Sequence, residues 1–153
     1  MPAAVSEAEV DRTMLKSKIH RVTVAAGLLS DATSLVLSRE LLRAADLLPG
    51  ERVDVVDITN GSRFTTHVEE AAGGKGVAVL GGANVRLVAT GDLVIIIGYG
   101  SYDAGEAERT DPKVVFVDRQ NCITQVGHDA AADIPEFDTV RGDTLIESSG
   151  RRT

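Results

Sequence analysis

The sequence predicts a mainly β protein, a small barrel of six strands with short helices. Three observations predict it. Of the 153 residues 43% are apolar and 3% aromatic, with no Trp, so the core must be built from Val, Leu, Ile and Ala. The apolar runs are short and end at Gly, Pro or Asn punctuation, as strands do. Helical spacing is confined to one stretch, which argues against alternating βαβ units.

The elements follow in order. "KIHRVTVAA" (18–26) offers Ile19, Val22 and Val24 as inward residues and reads as a strand. "TSLVLS" (33–38) reads as a second. Ser38 is a suitable N-cap for "RELLRAADLL" (39–48), where Leu41, Leu42 and Ala45 share a helical face and Pro49-Gly50 stops the helix. "ERVDVVDI" (51–58) and "RFTTHVEEA" (63–71) flank Asn60-Gly61, a strong hairpin signal. "VAVLGGANV" (77–85) begins as a strand and breaks at Gly81-Gly82. "LVIIIGYG" (93–100) follows the Gly91-Asp92 turn, and "KVVFVD" (113–118) is the last strand. From Gln120 the pattern weakens to an arm or tail. The domain reading is an acidic flexible extension over 1–11, a barrel over 12–118 and a partly disordered arm over 119–153.

The net charge of −7 argues against a nucleic-acid or anionic-membrane surface, which needs clustered Lys and Arg. Residues 1–11 carry three acids and no base, as a solvated terminus would. A single cysteine, Cys122, excludes an internal disulfide, and His20, His67 and His128 lack metal-ligand spacing, so no metal is expected. The acidic start lacks the apolar segment of a signal peptide. The longest apolar run, Leu93 to Ile97, is far too short to span a bilayer. The expectation is a cytoplasmic protein.

Several residues could carry chemistry. Arg63, beside Thr65, Thr66 and His67, suits a carboxylate or phosphate, though a solvated strand surface would look the same. Lys18 and His20 alternate about Ile19, which points both to one face. "GGKG" (73–76) and "LGGANV" (80–85) lack the spacing of a nucleotide-binding loop. Ser34 has no G-x-S-x-G context, so a hydrolase elbow is not indicated. The Thr33-Ser34 pair reads either as a strand-start hydroxyl bonding its own backbone or as a nucleophile aimed at the carbonyl before it.

Taken together, "RTMLKSKIHRVTV" (12–24), "AADLLPGERVDVVDITNGSRFTT" (44–66), "GGAN" (81–84) and "GDLVIII" (91–97) resemble the pyruvoyl-dependent aspartate 1-decarboxylases. "DPKVVFVD" (111–118) and "GHDAAADIPE" (127–136) resemble the actinobacterial members. The resemblance runs from about Arg12 to Glu136. It implies a six-stranded double-psi β-barrel and a homotetramer with sites between neighbouring subunits. It implies an α-decarboxylase of an acidic amino acid, giving β-alanine and CO2 from aspartate. Its cofactor would be a covalent pyruvoyl group made from Ser34 by cleavage at Thr33-Ser34, with no metal and no pyridoxal phosphate; a maturation factor is a possible partner. By the same resemblance Thr66 assists cleavage, and Arg63, Lys18, His20, Gly82, Ala83 and Asn84 line the substrate pocket with Asp31.

The chain departs from the family pattern at four positions. Thr33 stands where glycine precedes the cleavage serine, and a β-branched residue tolerates strained backbone less well. Asp31 and His67 each stand for a tyrosine, and Gly81 for an asparagine that Asn84 could replace. Asp31 facing Arg63 or Lys18 would compete with a substrate carboxylate. His67 is a plausible proton donor in place of tyrosine. Residues 63, 65 and 67 share one strand face, so Thr66 points the other way and would have to act through its backbone or a local bend. Two other readings stay open: a paralogue acting on a different amino acid, and an unprocessed barrel serving as a scaffold or binding module.

Overall fold

A computed structural model describes residues 10–27 and 33–129. The expected acidic extension up to residue 9, Asp31 and the arm beyond residue 129 lie outside the described residues. The chain runs β1 (Asp11–Thr23), β2 (Ala25–Ala26), β3 (Ser34–Leu37), α1 (Arg39–Ala44), β4 (Arg52–Asp57), β5 (Arg63–Glu70), β6 (Ala78–Leu80), a 3-10 helix (Gly82–Arg86), β7 (Leu93–Asp103), α2 (Ala104–Arg109), β8 (Lys113–Val117) and β9 (Ile123–Gly127). All nine described strands join one curled sheet in the order β2-β6-β3-β5-β4-β7-β1-β8-β9. The expected mainly β class with few short helices is observed, but with nine strands in place of six. Two strands not read as separate runs in the sequence are short or polar. β2 is two alanines, and β9 (ITQVG) is held by pairing to β8 more than by its own apolar pattern.

The core is aliphatic, as the composition requires. Ile19, Val22, Leu35, Leu37, Val68, Leu80, Val94 and Ile96 are all fully buried. The three-residue step from Ile19 to Val22 has a cause in the backbone. A bulge interrupts the β1–β7 ladder between these residues, and Arg21 takes a positive φ of 62°. The extra residue lets both side chains face inward. β1 also begins seven residues before the expected Lys18, because β7 continues to pair with it as far as Asp11↔Asp103.

α1 is shorter than expected. It ends at Ala44, and Asp46 at φ 56° turns the chain out of the helix before Pro49. Ser38 occupies the N-cap position, but its hydroxyl makes no capping bond. α2 lay outside the sequence reading; the Asp103 carboxylate caps it by accepting from Glu106 N at 2.8 Å. Among the described residues no helix is long and apolar enough to cross a membrane.

Candidate active site

Ser34 opens β3, and three elements meet around it. β5 runs parallel to β3 with Ser34 opposite His67, and β6 runs antiparallel with Leu35 opposite Leu80. Past β6, the Gly81 N–H donates to Ser34 O at 2.9 Å. Gly82, buried at φ 74°, then turns the chain into the 3-10 helix, a conformation that suits glycine. Ala83 is exposed and Asn84 half-buried on that helix. The 81–84 segment is thus tied to the Ser34 backbone.

Thr66 is placed differently from expectation. It does face away from Arg63, Thr65 and His67 and is 8% exposed. Its own hydroxyl nevertheless reaches the strand start, where Thr66 Oγ1 donates to Thr33 O at 2.9 Å. Neither a bend nor a backbone contact is needed, because the Thr33 carbonyl lies within reach of the buried side of β5. Ser34 is itself 8% exposed.

The outer face of β5 carries the charged groups. The ladder sets Arg52 opposite His67, so Ser34, His67 and Arg52 form one cross-strand row. His67 Nε2 lies 3.3 Å from Glu69 Oε1, and both side chains are 45% exposed. In the neighbouring row Asp54 is paired with Thr65, and Thr65 Oγ1 donates to Asp54 Oδ1 at 2.8 Å. Arg63 Nη2 donates to Asp54 Oδ2 at 3.1 Å and lies 3.5 Å from the Tyr99 hydroxyl. The Thr65 hydrogen bond, helped by the Arg63 guanidinium and opposed by burial, holds the Asp54 carboxyl below the usual carboxylate range.

Lys18 and His20 are not brought to Ser34 through these ladders. Lys18, half-buried, pairs with Ile97 and Val114 on β1, four strands from β3 in the sheet order. His20 is no exposed surface residue, at 8% exposure. Its ring meets Phe116 edge-on at a centroid distance of 5.7 Å. It borders a cavity of about 570 Å³ with Arg21, Thr23 and Arg119. Arg52, Asp54, Glu69 and Tyr99 did not emerge from the sequence. The alternation of Arg52 and Asp54 with Val53 and Val55 was the one signal for two of them. Among the described residues no group of three or more His, Cys, Asp or Glu could hold a metal ion.

The arrangement can polarise the Thr33 carbonyl, hold the Ser34 backbone from Gly81, and present an imidazole and a guanidinium on the row beside Ser34. Known proteins resemble the chain. The aspartate decarboxylase family model matches residues 10–124. An aspartate 1-decarboxylase of Pelotomaculum thermopropionicum is 53% identical over 114 residues, covering 74% of this chain and 86% of that protein. The crystal structure of a computationally designed protein, msDPBB_sym2, superposes with a TM-score of 0.39 at 20% identity, covering 56% of this chain and 96% of that one.

Proposed function

The chain belongs to the aspartate decarboxylase family, and from that premise we propose that it is a self-processed, pyruvoyl-dependent α-decarboxylase converting aspartate to β-alanine and CO2. The double-psi form of the barrel, a homotetramer and a cytoplasmic location are part of this reading. The observation that carries it is the Thr66 hydroxyl on the carbonyl of Thr33, one bond from Ser34.

In the proposed processing, Ser34 Oγ adds to the Thr33 carbonyl carbon. Charge builds on Thr33 O, where Thr66 already donates. The intermediate collapses by breaking the C–N bond, and the proton lost by the serine hydroxyl passes to the departing nitrogen, giving an ester and a free amine at residue 34. Loss of the Cα proton expels the Thr33 carboxylate and leaves a dehydroalanine. Water then releases ammonia and leaves a pyruvoyl group at the new terminus. The threonine fit is supported by geometry: Thr33 precedes β3 at an exposed position, and its carbonyl already has a donor.

When present, that group supplies an electron sink for loss of the substrate α-carboxylate. The chain's residues would do the rest. Arg63 would bind a substrate carboxylate with its remaining N–H groups. His67, held at Nε2 by Glu69, would return a proton to the substrate carbon. Gly82, Ala83 and Asn84 would line the pocket beside Ser34. Lys18 and His20, on β1, would line the same pocket, with the site completed by a neighbouring copy.

Denaturing mass spectrometry tests the reading, with two chains expected, 1–33 and 34–153, the second blocked at its terminus. A single intact chain after prolonged warming, with and without cell extract to supply a maturation factor, would leave the scaffold reading. A second enzyme reading, a decarboxylase of a different amino acid, is favoured by one observation: Arg63 already carries a carboxylate, that of Asp54. A panel of amino acids with CO2 detection separates the two.

A further inference from the structure

We propose that Asp54 sets substrate preference by standing as a resident carboxylate on Arg63, taking one of its amino groups and offsetting part of its charge. The inference rests on the reading of Arg63 as the group that binds a substrate carboxylate.

Asp54 is built into place. Val53 and Val55 on either side of it are buried at 2% and 1% exposure, which fixes its strand and turns its side chain to the outer face. Both of its oxygens are used. Oδ1 accepts from Thr65 at 2.8 Å and Oδ2 from Arg63 at 3.1 Å. The Thr65 bond holds Oδ1 independently of Arg63. Arg63 is more exposed than its partner, 55% against 21%, and Asp54 is its one acidic partner among the described residues. A guanidinium has five N–H donors, and Asp54 takes only one amino group, so Arg63 can still bind a ligand. Any carboxylate on that ligand would then lie close to the Asp54 charge.

The surroundings agree. A cleft of about 340 Å³ opens on the Asp54 side of the pair, lined by Thr13, Arg52, Asp54, Tyr99 and Ser101. Its hydroxyls suit a polar ligand, and Asp54 offsets one of the two guanidiniums, Arg52 and Arg63, on this face. An acidic side chain is therefore penalised at Arg63 relative to one that is neutral or carries a hydrogen-bond donor for Asp54.

The test compares processed wild type with Asp54→Asn, which keeps an oxygen for the Thr65 hydroxyl and removes the charge. KM for aspartate should fall roughly fivefold, the scale of one exposed ion pair, with kcat within about twofold. Succinate affinity by titration calorimetry should tighten by a similar factor. Asp54→Thr, a strand-forming replacement, should act in the same direction if the asparagine variant folds poorly. In an Arg63→Ala background the gain should vanish. A KM or succinate affinity that is unchanged or worsened overturns the proposal and makes Asp54 a support for Arg63. Wild type that neither cleaves nor releases CO2 from any amino acid is a separate result, against the decarboxylase reading; succinate calorimetry then still decides whether Asp54 opposes a carboxylate at Arg63.

Discussion

The Thr66 hydroxyl donates to the carbonyl oxygen of Thr33 across 2.9 Å, joining the buried side of β5 to the residue before β3. That oxygen would take on negative charge if Ser34 attacked. A donor already in place needs no rearrangement when charge develops, which is why such donors are worth much more than an ordinary hydrogen bond. Thr66→Val removes the donor and keeps the shape. It should slow appearance of the 34–153 chain by roughly 10²- to 10³-fold, followed by denaturing mass spectrometry over time. Thr66→Ser should cut at close to the parent rate. Equal rates for the valine variant and wild type would remove Thr66 from the processing step.

Processing and turnover should separate at His67. Its imidazole projects from the outer face of β5, away from Thr66, and lies 3.3 Å from Glu69 Oε1. His67→Phe should leave cleavage intact and lower kcat on processed protein by about 10²-fold or more, the usual contribution of a positioned proton donor. Glu69→Gln should give a smaller loss of kcat, since the imidazole stays but loses the charge that orients it. Full turnover by the phenylalanine variant would mean that the proton comes from another group.

Much of the molecule was legible in the sequence because its signals are local. Alternation in 18–26 and 51–58, the Asn60-Gly61 turn and the break at Gly81-Gly82 each mark an element that forms. Register was not legible. A two-residue Asn60-Gly61 turn would pair Thr59 with Ser62 and so set Asp54 opposite His67. The observed ladder sets Asp54 opposite Thr65 instead. The difference comes from the Asp57 side chain, whose Oδ1 accepts from both Thr59 N and Asn60 N and so widens the loop. With register hidden, the Asp54–Arg63 pair and the Ser34–His67–Arg52 row were hidden too. The route from the Thr66 hydroxyl to Thr33 was hidden for a related reason: a strand's two faces are readable, but not which neighbouring carbonyl arrives at the buried one.

Asp57 also makes stability depend on pH. It is fully buried, and its Oδ2 has no donor unless a proton sits between it and the Asp92 carboxyl. Burial, then the hydrogen bond it donates to Asp92, raises the Asp57 pKa, while the same hydrogen bond lowers that of Asp92. The raised group binds a proton in the folded state that the unfolded chain has lost. Stability therefore falls as pH climbs from the ordinary carboxylate value through the raised one, and stays lower above it. The lowered Asp92 works in the opposite sense, losing stability as pH falls below the ordinary value. Asp57→Asn keeps the acceptor for Thr59 and Asn60 and supplies a permanent donor to Asp92. Its Tm should exceed that of wild type at neutral pH, with the gain shrinking toward about pH 4. Parallel melting curves for the two proteins across that range would show that no proton is shared.

Asn121 should prove a long-range clamp. It is 5% exposed and stands at φ 60°, a left-handed conformation that asparagine tolerates better than most residues. Its Oδ1 accepts from Thr23 N at 2.8 Å, and its Nδ2 donates to Thr23 O at 2.8 Å and to Gly76 O at 3.1 Å. One amide thus pairs with the end of β1 as a strand would, and ties in the 73–76 turn. Gly76 cannot be replaced to compensate, because a Cβ there would meet Gln120 O at 2.1 Å. Asn121→Ala leaves the Thr23 N–H and two carbonyls without this partner. The cost should be about 2–3 kcal/mol, a fall in Tm of roughly 5–10 °C for a domain of this size. Asn121→Asp keeps the acceptor for Thr23 N but loses both donated bonds, and should also destabilise. The ladders around Ser34 do not pass through Asn121, so cleavage at Thr33-Ser34 should persist below the lowered Tm. A melt within about 1 °C of wild type for the alanine variant would mean that Thr23 and Gly76 are satisfied without it.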